Sequence, residues 1–479
     1  MDRLSGLDAS FLYLETPSQV MNVAAILQID PSTIPGGYSF EALRTEMGRR
    51  VTGLPALRRK LTDSLTNIDH PVWVEDTDFD IKRHVHRIAI PSPGRVQEMA
   101  QMCSHLIGQQ LDRKKPLWDL WVMEGMQQGR VALMLRMHHA TVDGATVADI
   151  LGELATTSPE PPPLDPDLVA TQSGEAPRAE MAVGGAVNYF LQRPVAALKL
   201  IPKALPVPFS WISKVRSGEG MPAPFLAPRT RFNAPLTPQR SIALGQIPLA
   251  DVKAIKDHYG VKMNDVVLAM TAGALREYLG NHDELPDEPL VGLVPVSVRG
   301  VEEKDLVVSG TNKVTGMFTR LPTDVADPVE RIKVAGVYAN QAKAHHQEID
   351  ANLLRSFAEF APGNTLGALM RVYSDRRLSV LHPPIFNTIV SNVAGPAFDM
   401  YFLGGKVEAV FPLAPIFHGL GLNITVFSAD GKLNVGLLTC TELAPDIWDL
   451  CRGFDTQVEE LREAMAADAG DPSAGSGSE

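Results

Sequence analysis

The stretch "RMHHATVDG", residues 136–144, brings several potentially reactive side chains together. His138 and His139 follow an apolar run, and Asp143 and Gly144 come a few residues later. A neutral imidazole has an ordinary pKa of about 6.5, so it can accept a proton near neutral pH. The pattern is compatible with general base catalysis, with metal binding, or with the end of an ordinary strand.

Strand geometry argues against a metal site at these histidines. Side chains alternate along a strand, so His138 and His139 are predicted to point to opposite faces. His139 would share its face with Leu135 and Met137, and His138 would share its face with Arg136. No cysteine or further carboxylate lies nearby at ligand spacing, and we therefore predict no metal ion.

Asp143 and Gly144 have a structural interpretation beside the catalytic one. Asp143 precedes a helix-patterned run, where it can act as an N-cap that accepts hydrogen bonds from backbone N–H groups. Gly144 would ease the tight turn from strand to helix. Ligand clefts in α/β folds form at strand ends, so the stretch as a whole indicates a candidate site.

The segments around this stretch have the sequence patterns of both strands and helices. Residues 21–30 predict a buried strand, and "FEALRTEMGRRV" predicts a helix. "LWDLWVMEGMQQGRVALMLRMHH" predicts two strands that are joined by a turn at residues 127–129. Strands and helices alternate, which indicates a mixed α/β layer structure.

A second block of elements begins near residue 240. "MNDVVLAMTAGALREYL" predicts a helix, and "LVGLVPVSVR", "NKVTGMFTRL" and "FNTIVSNVAGP" predict strands. "LNITVFSADGKLNVGLLTC" predicts a hairpin that turns at Asp430-Gly431. The two halves of the chain have a similar order of elements, although no sequence repeat is visible.

Changes in composition along the 479-residue chain indicate where its domains begin and end. We expect an N-terminal domain over residues 1–155, a connector over 156–235 and a second domain over 236–463, followed by a disordered tail over 464–479. The first part of the connector is rich in proline and acids, which is typical of an exposed linker. The net charge of −12 argues against nucleic acid as a partner.

Three cysteines are too few for a disulfide framework and favour a reducing compartment. The N-terminus lacks the apolar core of a signal peptide, and no window has about 18 uninterrupted apolar residues. These features predict a cytoplasmic protein that can touch a membrane peripherally.

Residues 188–216 form a local inversion of charge within the connector. This segment has no acidic residue, and it contains Arg193, Lys199, Lys203, Lys214 and Arg216. Its four aromatic side chains, Tyr189, Phe190, Phe209 and Trp211, suit a boundary between lipid and water. The two interpretations are a lipid-facing segment and a basic connector that packs on the protein.

The motifs together carry a family resemblance. "HHATVDG" matches the HHxxxDG signature of acyltransferases that are related to chloramphenicol acetyltransferase and to condensation domains. "PLW" (116–118), "ND" (264–265), "PVSVR" (295–299) and "SNVAGP" (391–396) resemble the bacterial wax ester synthase/diacylglycerol acyltransferase family. The opening "LSGLDASFLYLET" is similar to mycobacterial-type members, and the motifs cover nearly the whole chain.

The resemblance implies two chloramphenicol acetyltransferase-like domains, each a mixed sheet flanked by helices, with a tunnel at their interface. It implies transfer of a fatty acyl group from acyl-CoA, as a substrate, to diacylglycerol or a long-chain alcohol. A membrane or lipid-droplet surface would then be a partner, and no cofactor is needed. Because a thioester is already activated, a general base and oxyanion donors suffice, and the chain contains no GxSxG nucleophile elbow.

The resemblance also implies roles for individual residues. His139 would be the general base, His138 a supporting residue, and Asp143 a structural residue. Arg299 is the candidate partner of Asp143, with an ordinary surface residue as its alternative role. Asn264 is a candidate oxyanion donor, with an N-cap as its alternative role. The candidate residues at the substrate site are Pro116, Leu117, Trp118, Gly144, Asn392, Gly395 and Pro396. Ala394 departs from the proline that many relatives have.

Two alternatives to this function remain at this point. One is an acyltransferase that acts on another lipid or on a carrier-protein thioester. The other is a lipid-binding relative that has the fold without turnover. The presence of His139 and Asp143 weighs against the second alternative, and the missing elbow weighs against a lipase.

Overall fold

The computed structural model describes residues 2–62, 70–141, 150–160, 220–297, 314–348, 363–396 and 398–470. The helices are α1 (Gly6–Leu14), α2 (Phe40–Thr52), α3 (Val96–Ile107), α4 (Leu249–His258), α5 (Met263–Gly280), α6 (Pro328–Glu348), α7 (Gly363–Asp375) and α8 (Ile447–Gly470). Residues 150–154 are also helical.

The strands in chain order are β1 (Asp2–Arg3), β2 (Asn22–Asp30), β3 (Arg59–Thr62), β4 (Val72–Glu75), β5 (Val85–Ala89), β6 (Trp118–Glu124), β7 (Val131–His138), β8 (Ala155–Thr156), β9 (Arg240–Pro248), β10 (Leu290–Ser297), β11 (Val314–Leu321), β12 (Thr388–Val393), β13 (Tyr401–Phe402), β14 (Gly405–Leu413), β15 (Leu422–Ala429) and β16 (Lys432–Cys440).

These strands form two large mixed sheets and one small one. The seven-stranded sheet has the order β5-β6-β7-β2-β14-β13-β8, and the six-stranded sheet has the order β11-β10-β12-β15-β16-β9. The small sheet has the order β1-β4-β3. The predicted mixed α/β architecture with two sheets is confirmed.

One strand of the second half belongs to the first sheet. β14 pairs antiparallel with β2, with Leu413 opposite Ala24 and Lys406 opposite Asp30. No pattern in the sequence predicted this exchange, because strand periodicity reports which faces are buried and not which strand lies alongside. The exchange ties the two halves of the chain together.

The central strand β7 is buried on both faces, which explains its nearly continuous apolar sequence. Leu133, Leu135 and Met137 pack in one hydrophobic cluster, and Ala132 and Met134 pack in another on the opposite face. Full burial of each large apolar side chain contributes about 1.5–3 kcal/mol. The strand end that carries the histidines is therefore held by packing on both sides of the sheet.

Most predicted elements are confirmed, including both hairpins and the long helix α5. At the second hairpin Asp430 and Gly431 have φ angles of 48° and 69°, which is the left-handed backbone that a tight two-residue turn requires. The predicted basic segment 188–216 lies outside the described residues. Among the described helices, none is both long enough and apolar enough to cross a bilayer.

The prediction that disorder begins at residue 464 is wrong for residues 464–470, because α8 continues to Gly470. Alanine-rich sequence favours the helix, and Met465 packs against the core of the second domain. The Asp468 carboxylate lies 3.2 Å from Nε2 of His258, which adds a contact to α4.

Candidate active site

His138 is the last residue of β7 and is buried. Its Nδ1 accepts a hydrogen bond of 3.0 Å from the backbone N–H of Ala140. The ring proton of neutral His138 therefore lies on Nε2. Its carbonyl accepts from the N–H of Thr141 at 2.9 Å, so the chain turns immediately after the strand.

A buried carboxylate faces the Nε2 atom of His138. Oε1 of Glu15 lies 3.6 Å from this atom, and the side chains are 2% and 1% exposed. Nη2 of Arg113 donates to Oε2 of Glu15 at 2.7 Å, and the N–H of Met21 donates to Oε1 at 3.4 Å. Burial alone would raise the pKa of Glu15, but the polar contacts and charges of His138 and Arg113 outweigh burial and lower it. Glu15 is thus ionised at neutral pH.

His139 begins the turn and is half-buried. Its ring stacks on Phe11 with centroids 4.0 Å apart and planes at 21°. Its backbone N–H donates to the carbonyl of Met21 at 2.7 Å. The prediction that both histidines belong to the strand is wrong, because β7 ends at His138, and strand alternation therefore does not set the direction of His139.

The "PLW" residues support this strand end by packing. Trp118 has no exposed surface, and its Nε1 donates to the carbonyl of Leu57 at 2.7 Å. Leu117 is also buried and shares a small apolar cluster with Ala140, while Pro116 is buried at the start of the motif. Trp118 therefore lies in the core and offers no surface that a substrate could touch.

Four other predicted residues line one cleft. Asn264, Asn392, Gly395 and Pro396 surround a space of about 890 Å³ together with Ser428. The N–H of Gly395 donates to Oγ of Ser428 at 3.0 Å, and a Cβ at Gly395 would lie 1.9 Å from the Ser428 carbonyl oxygen. Only glycine fits this close approach.

The alternative role of Asn264 as an N-cap is excluded by the geometry of α5. The N-cap is Lys262, whose backbone N–H donates to the carboxylate of Asp265 at 2.9 Å. The side chain of Asn264 is thus not needed for capping, and it lies on the wall of the cleft.

The cleft carries charges of both signs. Lys253 and Lys262 line it, together with Asp399 and Asp430. Nζ of Lys406 lies 2.9 Å from the carboxylate of Asp399 and 3.7 Å from that of Asp430. The two acids are therefore partly neutralised by Lys406. Lys253 and Lys262 add positive charge to the cleft wall, and Nζ of Lys262 also donates to Oδ1 of Asn340 at 2.6 Å.

An apolar cluster connects the cleft to the strand that ends in the histidines. Ala429 lines the cleft, and it packs in the same cluster as Phe427, Met137 and Ile150. Asp143, Gly144 and Arg299 lie outside the described residues, so the pairing of Asp143 with Arg299 stays a prediction. The described residues contain no group of three potential ligands that could hold a metal ion.

Sequence reasoning missed the contacts that α1 makes with the histidines. Phe11 and Glu15 both stand in the opening "LSGLDASFLYLET", but nothing in a single sequence indicated which strand they would meet. It also missed the buried pair of Arg136 with Asp119, which has N–O distances of 3.0 and 2.6 Å. This pair and the carbonyl of Gln109, 2.9 Å from Nη1, fix Arg136 next to the strand end.

Comparisons with known proteins agree with this architecture. Residues 4–267 match the family described as wax ester synthase/diacylglycerol acyltransferase catalytic domain, and residues 310–462 match the WS/DGAT C-terminal domain. A Mycobacterium tuberculosis (strain CDC 1551 / Oshkosh) protein named as a candidate diacylglycerol O-acyltransferase is 42% identical over 464 residues, which cover 97% of this chain and 90% of that protein.

Solved structures with this fold include two acyltransferases. The wax ester synthase/diacylglycerol acyltransferase from Marinobacter aquaeolei VT8 has a TM-score of 0.69 at 24% identity, with 97% of this chain and 100% of that chain covered. A trichothecene 15-O-acetyltransferase from Fusarium sporotrichioides has a TM-score of 0.57 at 11% identity, with 96% and 94% covered. Since the family match spans more than half of the sequence, the chain belongs to the wax ester synthase/diacylglycerol acyltransferase family.

Proposed function

We propose that the chain transfers an acyl group from acyl-CoA to the hydroxyl of diacylglycerol, or of a long-chain alcohol, with His139 as the general base. The observation that carries the choice of base is the hydrogen bonding of His138. Its Nδ1 lone pair accepts from Ala140, and its Nε2 faces Glu15. His138 therefore has no ring nitrogen left for a substrate proton, while His139 as a residue is only half-buried.

The proposed step needs one proton acceptor and no covalent enzyme intermediate. The hydroxyl oxygen bonds to the thioester carbonyl carbon while its proton passes to His139. The carbon–sulfur bond then breaks, and the CoA thiolate takes the proton from the His139 imidazolium. The products are the ester, CoA and a neutral His139, so the base is regenerated.

The other predicted site residues have supporting roles in this proposal. Asn264, with its side chain on the cleft wall, is the candidate donor to the developing oxyanion. Asn392, Gly395 and Pro396 shape the cleft wall that faces the substrate. Asp143 acts through structure, with Arg299 as its partner and Gly144 at the turn.

The test is an acceptor panel with purified protein and palmitoyl-CoA. Free thiol is followed with a chromogenic reagent, and products are separated by chromatography after addition of diacylglycerol or a long-chain alcohol. We expect acceptor-dependent thiol release and a triacylglycerol or wax ester product. A matched control is His105→Ala, which removes an exposed histidine from α3 and should leave the rate unchanged.

Two results would change or contradict this proposal. Thiol release that needs some other acceptor would keep the chemistry but change the substrate. Stable palmitoyl-CoA binding without thiol release under any acceptor would contradict the enzymatic proposal and favour a lipid-binding role.

We also propose that the basic segment 188–216 brings the protein to a membrane or lipid-droplet surface. Its five cations and four aromatic residues support this, since each basic residue near an anionic surface contributes about 1 kcal/mol. Changing Lys199, Lys203 and Lys214 to glutamate should reduce co-sedimentation with anionic vesicles, most clearly at low salt. Unchanged sedimentation would identify the segment as a packed connector.

A further inference from the structure

We infer that Glu15 is a positioning residue for the histidine pair. Its carboxylate is buried between a guanidinium and an imidazole, with Arg113 on one oxygen at 2.7 Å and Nε2 of His138 at 3.6 Å from the other. This inference rests on the proposed function, since it assigns the role of Glu15 to the presentation of His139.

The contacts of His138 define what the carboxylate does. The N–H of Ala140 donates to Nδ1, so the ring proton must lie on Nε2 and point toward Glu15. If the ring took its other tautomer, two N–H groups would face each other at Nδ1. The Glu15 carboxylate, 3.6 Å from that nitrogen, adds an electrostatic preference for the same tautomer, which closes the turn over residues 138–141.

That turn carries His139. The N–H of Thr141 donates to the carbonyl of His138 at 2.9 Å, and the N–H of His139 donates to Met21 at 2.7 Å. Met21 also donates its own N–H to Glu15 at 3.4 Å, so one carboxylate contacts both His138 and the residue that accepts the His139 N–H. Arg113 in addition donates to the carbonyl of Leu12 at 2.9 Å, which attaches the carboxylate to the end of α1.

The test compares Glu15→Ala and Glu15→Gln with the wild type. Gln keeps an acceptor for the Nε2 proton but has no charge, so we expect kcat to fall in the order wild type, Gln, Ala, with the Ala variant losing about ten-fold or more. The KM for acyl-CoA should stay unchanged. Asp76→Asn is a matched control, because it neutralises a buried acid that pairs with a surface cation, Lys60 at 2.6 Å, in the small sheet.

Tautomer state provides a readout that a purely structural role would not move. ¹⁵N spectra of histidine-labelled protein, with the signal assigned by His138→Asn, should show the Nε2–H tautomer in the wild type and a smaller fraction of it in Glu15→Ala. Wild-type kcat, or an unchanged tautomer, in folded Glu15→Ala protein would overturn the inference. If His139→Ala is also active, the proposed base itself is wrong, and the two failures are therefore distinguishable.

A different observation carries a second inference, which concerns an exposed apolar patch. Six of the eight exposed large hydrophobic side chains in the described residues belong to two segments: Phe225, Leu226, Leu369, Val372, Val380 and Leu381. The segments touch, because Phe225 packs edge-on against the ring of His382 at 5.8 Å and Arg229 donates to the His382 carbonyl at 2.5 Å.

We propose that this patch, defined by those six residues, docks on an anionic lipid surface. Arg371, Arg376 and Arg377 are exposed beside it, against one acid, Asp375, in the same stretch. This local positive charge stands out in a chain of net charge −12. Helix α7 packs one side on α1 and exposes Leu369 and Val372 on another, which is the arrangement of an interfacial helix.

Vesicle co-sedimentation tests this surface. Leu369→Ser with Leu381→Ser should lower binding to mixed phosphatidylserine–phosphatidylcholine vesicles several-fold, whereas Val337→Ser, at an exposed apolar residue on α6, should not. Replacing the three arginines by glutamine should weaken binding to anionic vesicles only. Unchanged binding would overturn the proposal, as would a wild-type dimer in analytical ultracentrifugation that dissociates in Leu381→Ser.

Discussion

The two large sheets contain the same four-stranded arrangement, but only one of them ends in histidines. In the first sheet β5-β6-β7-β2 are joined by one parallel and two antiparallel pairings. In the second sheet β12-β15-β16-β9 repeat this pattern in the same chain order. The strand register shows which residues of the two sheets correspond. His138 lies opposite the first residue of β2, and Cys440 lies opposite the first residue of β9, so Cys440 is the counterpart of His138.

The same backbone position therefore carries different chemistry in the two copies. His138 faces the ionised Glu15, and the next residue is His139. Cys440 donates from Sγ to Oε2 of Glu442 at 3.0 Å, and burial raises the pKa of its thiol. A neutral thiol that donates to a carboxylate cannot serve as a base at neutral pH. The same strand end thus occurs in both large sheets, at the end of β7 and at the end of β16. Only the side chains at the end of β7 make it the candidate site.

The largest expected effect is on turnover and compares His139 with its counterpart Thr441. Positioned general bases contribute about 10²–10⁴ in rate, so His139→Ala should lower kcat by that factor while acyl-CoA binding survives. Thr441→Ala should leave kcat unchanged. Thiol release and acyl-CoA affinity of both variants check this, and equal losses in the two would remove the distinction between the copies.

The next effect is on stability and compares Arg136 with its counterpart Leu438. The Arg136–Asp119 pair is buried, with side chains 4% and 5% exposed. Arg136→Leu installs the residue of the second copy but leaves Asp119 as an unpaired buried charge, which should cost about 3–5 kcal/mol in the free energy of unfolding.

Urea unfolding measures this loss. Leu438→Met, a volume-conserving change, should cost less than about 1.5 kcal/mol. An Arg136→Leu protein as stable as the wild type would show that the first copy does not depend on its ion pair.

Two buried histidines, one in each half of the chain, should make the stability of the fold sensitive to acid. Burial lowers the pKa of His84, beside the first sheet, and of His418, before β15, to about 4. In the unfolded chain each histidine takes up a proton at about pH 6.5. The free energy of unfolding that the buried neutral rings contribute is therefore fully present above that pH and is lost as the pH falls toward 4. Each ring contributes up to about 3 kcal/mol.

The measurement is the free energy of unfolding at pH 7 and at pH 5. His84→Asn keeps a donor for the Trp118 carbonyl, which His84 contacts at 2.8 Å, but does not titrate. This variant should flatten the dependence on pH. A slope equal to that of the wild type would assign the acid sensitivity to other groups.

The smallest effect is expected at Cys440. Cys440→Ala removes one buried atom and its contact with Thr237, which should cost about 1 kcal/mol without changing turnover. Thermal unfolding together with thiol release checks both. Loss of turnover in a folded Cys440→Ala protein would give the second copy a chemical role.

The elements and the reactive residues follow from local patterns in the amino-acid sequence. Apolar runs and turn chemistry are local, so β6, β7, α5 and the turn at Asp430-Gly431 follow from neighbouring residues. The histidine pair at a strand end and its family motifs were also visible. The extension of α8 through the alanine-rich tail was not predicted, because it also depends on the packing of Met465 against the core, which no local pattern shows.

Which residues contact each other across the fold depends on tertiary packing. The pairing of β14 with β2, the carboxylate of Glu15 against His138, and the match of Cys440 with His138 all join segments that are distant in sequence. Lys262 rather than Asn264 caps α5, since Asp265 supplies the carboxylate. Such contacts depend on how sheets and helices pack, and periodicity in one sequence records burial without recording the partner.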